Sequence, residues 1–230
     1  MPDFYKPLVV DGTTSMCTFG DVSLPVVDVE VNGEEYQKCV DAVMWASSKS
    51  GRYGRGCGNT PDDPKHVERT GFLGETAFAK LIGGEVNYTF ILHGDPVDFI
   101  VQLPDRELSI DVKTSIREPQ QFCIYARSEP KNGQTVGTPI QLHADTFVFA
   151  YALRDDRHSA TIRIVGWQDR NTINALPEED APSHDSTHKN KHVRFPIIRP
   201  ITEYLSMCKQ CEKIRPPEPR STNEVLFSDM

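Results

Sequence analysis

At 230 residues, with 38% apolar and 25% charged content, the chain can bury one sizeable core and has neither a disordered nor a membrane composition. A formal net charge of −8 argues against a protein that coats nucleic acid through a globally basic surface, since that mode displaces counterions with many Lys and Arg. It leaves room for a site built from carboxylates beside a local basic patch.

The first thirty residues lack a basic start followed by an apolar stretch. No later apolar run approaches the ~20 residues of a spanning helix, so an unprocessed cytoplasmic protein is expected. Six cysteines (Cys17, Cys39, Cys57, Cys123, Cys208, Cys211) are too sparse for a disulfide-stapled scaffold and are expected to be reduced.

Residues 1–33 alternate short apolar runs with Gly and Asp-Gly breaks, which predicts short strands and turns. From Glu34 the apolar positions Tyr36, Cys39, Val40, Val43 and Met44 recur at three and four residues, predicting an amphipathic helix to about Ser48. Residues 49–64, KSGRYGRGCGNTPDDP, hold four Gly and two Pro and predict a loop. A second helix is expected from about Lys65 to Ile82, stopped by Gly83-Gly84. Strands follow at Val86–Leu92, Val97–Leu103, Glu107–Thr114, Phe122–Arg127, Thr146–Leu153 and Thr161–Trp167, each rich in β-branched or aromatic residues. Residues 168–192 are polar and read as an exposed connection, followed by a helix over about Pro200–Ile214 and a Pro-rich tail. The whole reads as one domain, with 1–64 packed on a core at 65–167 and 168–230 completing it.

The chemistry gathers in GDPVDFIVQLPDRELSIDVKTS, residues 94–115. The short polar turn Pro104 to Glu107 predicts an antiparallel hairpin. With Leu103 facing Leu108, Asp98 lies opposite Lys113 and diagonal to Asp111. Strand alternation points Asp111 and Lys113 one way and Ile110 and Val112 the other. Opposed pairs bring Cβ atoms to roughly 5 Å, close enough for two carboxylates to share a cation. Glu75, on the second helix, has Phe72, Phe78, Ala79 and Ile82 at helical spacing. A carboxylate among apolar neighbours needs a partner, such as a metal, its water or a lysine.

Glu75, Asp98 and Asp111-Val112-Lys113, on helix, strand and strand, together resemble the PD-(D/E)XK nuclease superfamily, and GFLGETAFAKLIG, SIDVKT and IVGW look like its phage and bacterial members. The resemblance covers roughly residues 65–167. It implies an α/β, restriction-endonuclease-like fold with an αβββαβ core around a mixed β-sheet flanked by helices. It also implies a Mg²⁺- or Mn²⁺-dependent endonuclease or exonuclease acting on DNA, in a bacterial or phage-infected cell. Asp98, Asp111 and the Val112 carbonyl would hold the metal, Lys113 would orient or deprotonate the attacking water, and Glu75 would bind a second metal or a metal-bound water. Val97 stands where the motif has Pro, and Asp95 is a competing acid that falls in a Gly-Asp-Pro turn before the strand.

Lys49, Arg52, Arg55, Lys65 and Arg69, interleaved with Tyr53 and His66, are candidates to grip a nucleic-acid backbone; the bland alternative is a solvated loop. RNA and a homodimer both stay open. Cys208 and Cys211, with His184, His188 and His192 upstream, resemble half a zinc site, but their spacing is equally that of one helix face, so zinc is not expected. Trp45 and Trp167 read as core residues. The competing functions are a nuclease fold without turnover, serving as a nucleic-acid-binding or protein-interaction module, and a zinc-stabilised interaction protein.

Overall fold

The computed structural model describes residues 12–50, 64–88, 90–91, 97–127, 142–180, 189–209, 211, 213–217 and 224–225. Two strands, β1 (Thr13–Phe19) and β2 (Val22–Asn32), open it as an antiparallel hairpin that turns at Gly20, where φ is 60°. A residue without a Cβ takes that conformation at little cost. Helix α1 (Gly33–Ser50) carries Glu34 and Glu35 in its first turn, where the helix dipole favours acids. It buries Tyr36, Cys39 and Val43 of the expected stripe together with Ala42, while Val40 is only partly buried and Met44, expected on that face, is exposed. Helix α2 (Pro64–Ile82) buries Leu73, Ala77, Phe78 and Leu81. It stops at Gly83, where φ is 71° and the following Gly84 N–H reaches back to the Ala79 carbonyl at 2.9 Å.

The chain then runs β3 (Phe90–Ile91), β4 (Phe99–Gln102), β5 (Glu107–Ser115), β6 (Gln121–Arg127), β7 (Thr146–Asp155) and β8 (Ser159–Asp169). It ends in α3 (Arg170–Ala175), β9 (Glu178–Asp180), β10 (Lys189–Arg194), β11 (Arg199–Pro200), α4 (Ile201–Cys208), β12 (Lys213–Arg215) and β13 (Glu224–Val225). The main sheet has the order β1-β2-β8-β7-β5-β4-β12, with β11 also paired to β8. Its pairings are antiparallel except β5 with β7, so the fold is α/β, a mixed sheet flanked by helices.

Both faces of the sheet are covered. Residues 146–152 of β7 are all buried, the pattern of a central strand packed on two sides. On one face Val29, Ile162, Val148, Ile110 and Phe99 pack with Leu73 and Phe78 of α2 and Tyr204 of α4. On the other, Val26, Val165, Phe147 and Phe149 meet Phe122, Ile124 and Val193 of a small β6-β10-β9 sheet. Trp45 and Trp167 are buried, as expected. Among the described residues no helix is long and apolar enough to cross a membrane.

Three expectations are corrected. Residues 86–88 are not strand; among the described residues of the expected strand Val86–Leu92 only Phe90–Ile91 pairs, with β13. Residues 168–192 are not simply an exposed connection, because they carry α3, β9 and the start of β10, with Ile173, Asn190, Lys191 and His192 buried. The lysine tolerates burial because its ammonium donates to the Asn174 and Leu176 carbonyls at 2.9 and 2.7 Å, at the end of α3. The helix expected to reach Ile214 ends at Cys208, and the chain instead pairs Ile214 with Val101 on the outer edge of β4. Between the parallel strands β5 and β7 the described residues carry β6, and residues 128–141 of that connection lie outside the described residues.

Candidate metal and catalytic site

The β4–β5 hairpin turns through Pro104–Asp105, with the Leu103 N–H bonded to the Arg106 carbonyl at 2.8 Å. Phe99 pairs with Ile110 and Val101 with Leu108, so Leu103 does not face Leu108. The register is displaced by two residues from the expected one. A two-residue shift leaves every side chain on its own face, because the pleat repeats every two residues. Asp111 and Lys113 therefore stay together, while Asp98, continued from this register, comes beside Asp111 instead of Lys113.

Asp98 stands just before β4. Its N–H donates to the Ile110 carbonyl at 2.7 Å, and its Oδ2 accepts the Val112 N–H at 2.6 Å. The carboxylate thus serves a backbone donor that a longer β4 would have served with a carbonyl. Lys113 Nζ lies 2.6 Å from Asp111 Oδ2, with the two side chains 38% and 17% exposed. Burial disfavours the lysine's charge, but the carboxylates of Asp111, Asp98 and Glu75 outweigh it and raise the lysine's pKa above its usual value.

Helix α2 approaches β5 closely on the Ile110 and Val112 face, opposite to Asp111 and Lys113, and the charge of Glu75 acts on Lys113 from there. A Cβ on Gly74 would overlap the Thr114 hydroxyl, so only glycine lets the helix backbone lie there, one residue along from Lys113. Glu75 is half-buried, and its charge acts on Lys113 on one side and on the Cys39 thiol on the other. Burial pushes that thiol up to about 11, and the Thr76 hydroxyl contacts both its sulfur at 3.3 Å and the Tyr88 hydroxyl at 3.0 Å. Four groups singled out in the sequence are thus coupled, drawn from a helix and two strands.

Compared with known proteins, the chain matches no family model, no curated protein and no solved structure. What the site can do is therefore argued from its own geometry.

Among the described residues no three of His, Cys, Asp and Glu form a group able to hold a metal ion. Asp98 and Asp111 with the Val112 carbonyl are nonetheless hard oxygen donors on adjacent strands. That set fits Mg²⁺, which keeps several waters and takes one or two carboxylates rather than a full protein cage.

The expected nucleic-acid contacts fare differently from one another. Arg69 turns to Asp155, its guanidinium 2.6 Å from a carboxylate that is 6% exposed, and stacks over the Tyr36 ring at 5.9 Å. It is committed to the fold there. Lys49 and Lys65 fall in α1 and α2, but their side chains, and all of Arg52 and Arg55, lie outside the described residues, as do His184 and His188. His192 is held in the small sheet by Gln121 at 2.9 Å and Glu179 at 3.1 Å.

Sequence reasoning missed Tyr151 and Glu118. Tyr151 pairs with Ser115 and shares the face of Asp111 and Lys113, and its hydroxyl donates to Glu118 Oε2 at 3.3 Å. Arg163 donates to the same hydroxyl at 3.3 Å while clasping Asp28 with two bonds of 2.7 Å. The alternation that placed Lys113 continues to Ser115, but only the parallel partner strand reveals Tyr151.

Proposed function

We propose that the chain is a Mg²⁺-dependent (or Mn²⁺-dependent) deoxyribonuclease of the PD-(D/E)XK type, with a restriction-endonuclease-like core. The observation that carries this reading is the coupling of one lysine to three carboxylates, Asp111, Asp98 and Glu75, brought from two strands and a helix. A phosphodiester is already anionic, so its hydrolysis needs positive charge near the phosphate and a source of hydroxide near neutral pH. A divalent cation at Asp98, Asp111 and the Val112 carbonyl would supply both. Lys113, beside Asp111, would orient the attacking water or take its proton once a cation offsets the charge of the neighbouring carboxylates. Glu75 accepts from a further water on the helix side.

The mixed sheet and the parallel β5–β7 pair support the core assignment. A second reading keeps this fold but binds nucleic acid or protein without turnover, since a fold alone does not fix activity.

The test incubates the purified chain with single-stranded, duplex and branched DNA, and with RNA, under Mg²⁺, Mn²⁺ or EDTA. Cleavage with Mg²⁺ that is lost in EDTA and in Lys113→Ala is the expected result. Equal degradation by wild type and Lys113→Ala would overturn the site, and binding of DNA without cleavage would select the second reading.

A further inference from the structure

Cys208 is the last residue of α4 and is 4% exposed, while Cys211 is half-buried in the turn that leads to β12. The Cys211 N–H bonds the Cys208 carbonyl at 3.0 Å. A bond between residues three apart closes a turn whose Cα atoms lie within about 7 Å. Disulfides span about 4.4–6.8 Å between Cα atoms, so the backbone already brings the pair near bridging distance.

We infer that Cys208 and Cys211 are a redox modification site, closing to an intramolecular disulfide when the chain meets a peroxide or a disulfide oxidant. The inference is independent of the nuclease reading. The pair is asymmetric in a useful way: Cys211 is only half-buried and its thiolate is favoured beside Cys208, which is itself sheltered in the core. With hydrogen peroxide, the Cys211 thiolate attacks one oxygen, the O–O bond breaks, and protonation releases water, leaving a sulfenic acid. The Cys208 sulfur then attacks the Cys211 sulfur and a second water leaves. Two thiols are oxidised by two electrons, and one peroxide is reduced to two waters. Other described cysteines lack this arrangement, since Cys17 faces Leu24 and Cys123 faces His192 across their strands, while Cys39 is buried against Thr76. The disulfide would fix the turn from which β12 runs to pair with β4.

The test uses the full chain, reduced, desalted and exposed to a few equivalents of hydrogen peroxide, then alkylated with iodoacetamide and digested with trypsin. Trypsin cuts after Lys209, between the two cysteines, so their fragments stay together only if a disulfide joins them. Joined fragments, separated by dithiothreitol with recovery of both alkylation sites, are the expected result. The half-buried Cys211→Ser should abolish the joined species without threatening the core. Two alkylated fragments from oxidised wild type, or Cys211 advanced to sulfinic acid with Cys208 still alkylatable, would overturn the inference.

Discussion

Helix α2 serves two charged clusters, and they are built on opposite plans. Near its start, Asp155 receives Arg69 at 2.6 Å, His66 at 3.3 Å and the Tyr36 hydroxyl at 2.9 Å, so one nearly inaccessible carboxylate is surrounded by donors. In its second half, Glu75 joins Asp98 and Asp111 around Lys113, the one lysine among the described residues of the cluster, on side chains that solvent still reaches. The first plan is what stability favours, because a buried acid must have its lone pairs filled. The second gathers like charges, which folding alone does not reward. A cluster whose acids outnumber its lysine is therefore where a task other than holding the fold together is to be sought.

The largest expected effect separates the two plans outright. Asp111→Asn and Lys113→Ala should each lower Mg²⁺-dependent cleavage by about 10²–10⁴-fold, the range for losing a group that positions or activates the reacting water. Urea unfolding should move little, since the Lys113–Asp111 pair is part-exposed and such pairs contribute about 0–1 kcal/mol. Unfolding midpoints that drop sharply in both variants would return this cluster to the structural class.

Asp155→Ala should behave in the reverse sense. Removing the acid leaves Arg69 part-buried without its partner, and breaking a buried pair costs about 3–5 kcal/mol. The folded fraction of that variant should cleave with wild-type rate once its lower stability is allowed for by working in low denaturant at low temperature. A rate loss in fully folded protein would show that the Asp155 cluster reaches the chemistry.

Gly74→Ala probes the ground between the clusters. The added methyl falls on Thr114, whose Cβ is fixed by the strand and cannot swing aside, so α2 must lift from β5. Overpacking of this kind costs about 1–3 kcal/mol. Because the lift draws Glu75 away from Lys113 while leaving Arg69 on Asp155, cleavage should fall more than the stability change explains. Rates in the folded variant equal to wild type would mean that Glu75 is not needed where the helix places it.

Much of this arrangement was legible in the sequence, and the illegible parts share a cause. Apolar spacing located α1 and α2, and alternation put Asp111 and Lys113 on one face with Ile110 and Val112 on the other, because both signals are local. The hairpin register was not legible: Pro104 and Asp105 suit a two-residue turn as well as a four-residue one, and parity is the same in both. Burial of Asn190, Lys191 and His192 depends on partners such as the Leu176 carbonyl and Gln121, which no window around residue 190 contains. The end of α4 at Cys208 was hidden for the same reason, since the edge of β4 that receives Ile214 lies about a hundred residues earlier. The Asp155 cluster joins α1, α2 and β7, and the acid that pairs with Arg69 was out of view in any local window.

The smallest expected effect is an alkaline one, at Tyr36. Its hydroxyl is held by Asp155 Oδ1 at 2.9 Å and the Asp156 carbonyl at 2.6 Å, and burial, then Asp155, pushes its pKa up to about 12 from an ordinary value near 10. The folded state keeps the phenolic proton over a range where the unfolded chain has released it. A raised folded pKa contributes stability in full below about pH 10, and that contribution drains away as pH climbs towards about 12. Tyr36→Phe should therefore cost about 1–2 kcal/mol near neutral pH, the loss of a hydrogen bond to a buried charge, and the deficit should shrink as the pH of urea unfolding is raised from about 9 to about 11. Tyr88, Tyr151 and Tyr204 also have raised pKa values, so the informative quantity is the wild-type-minus-variant difference, in which their contributions cancel. A deficit that stays constant across that range would mean the phenol does not rely on Asp155, and the contrast between a saturated cluster and an acid-rich one would lose its better-defined half.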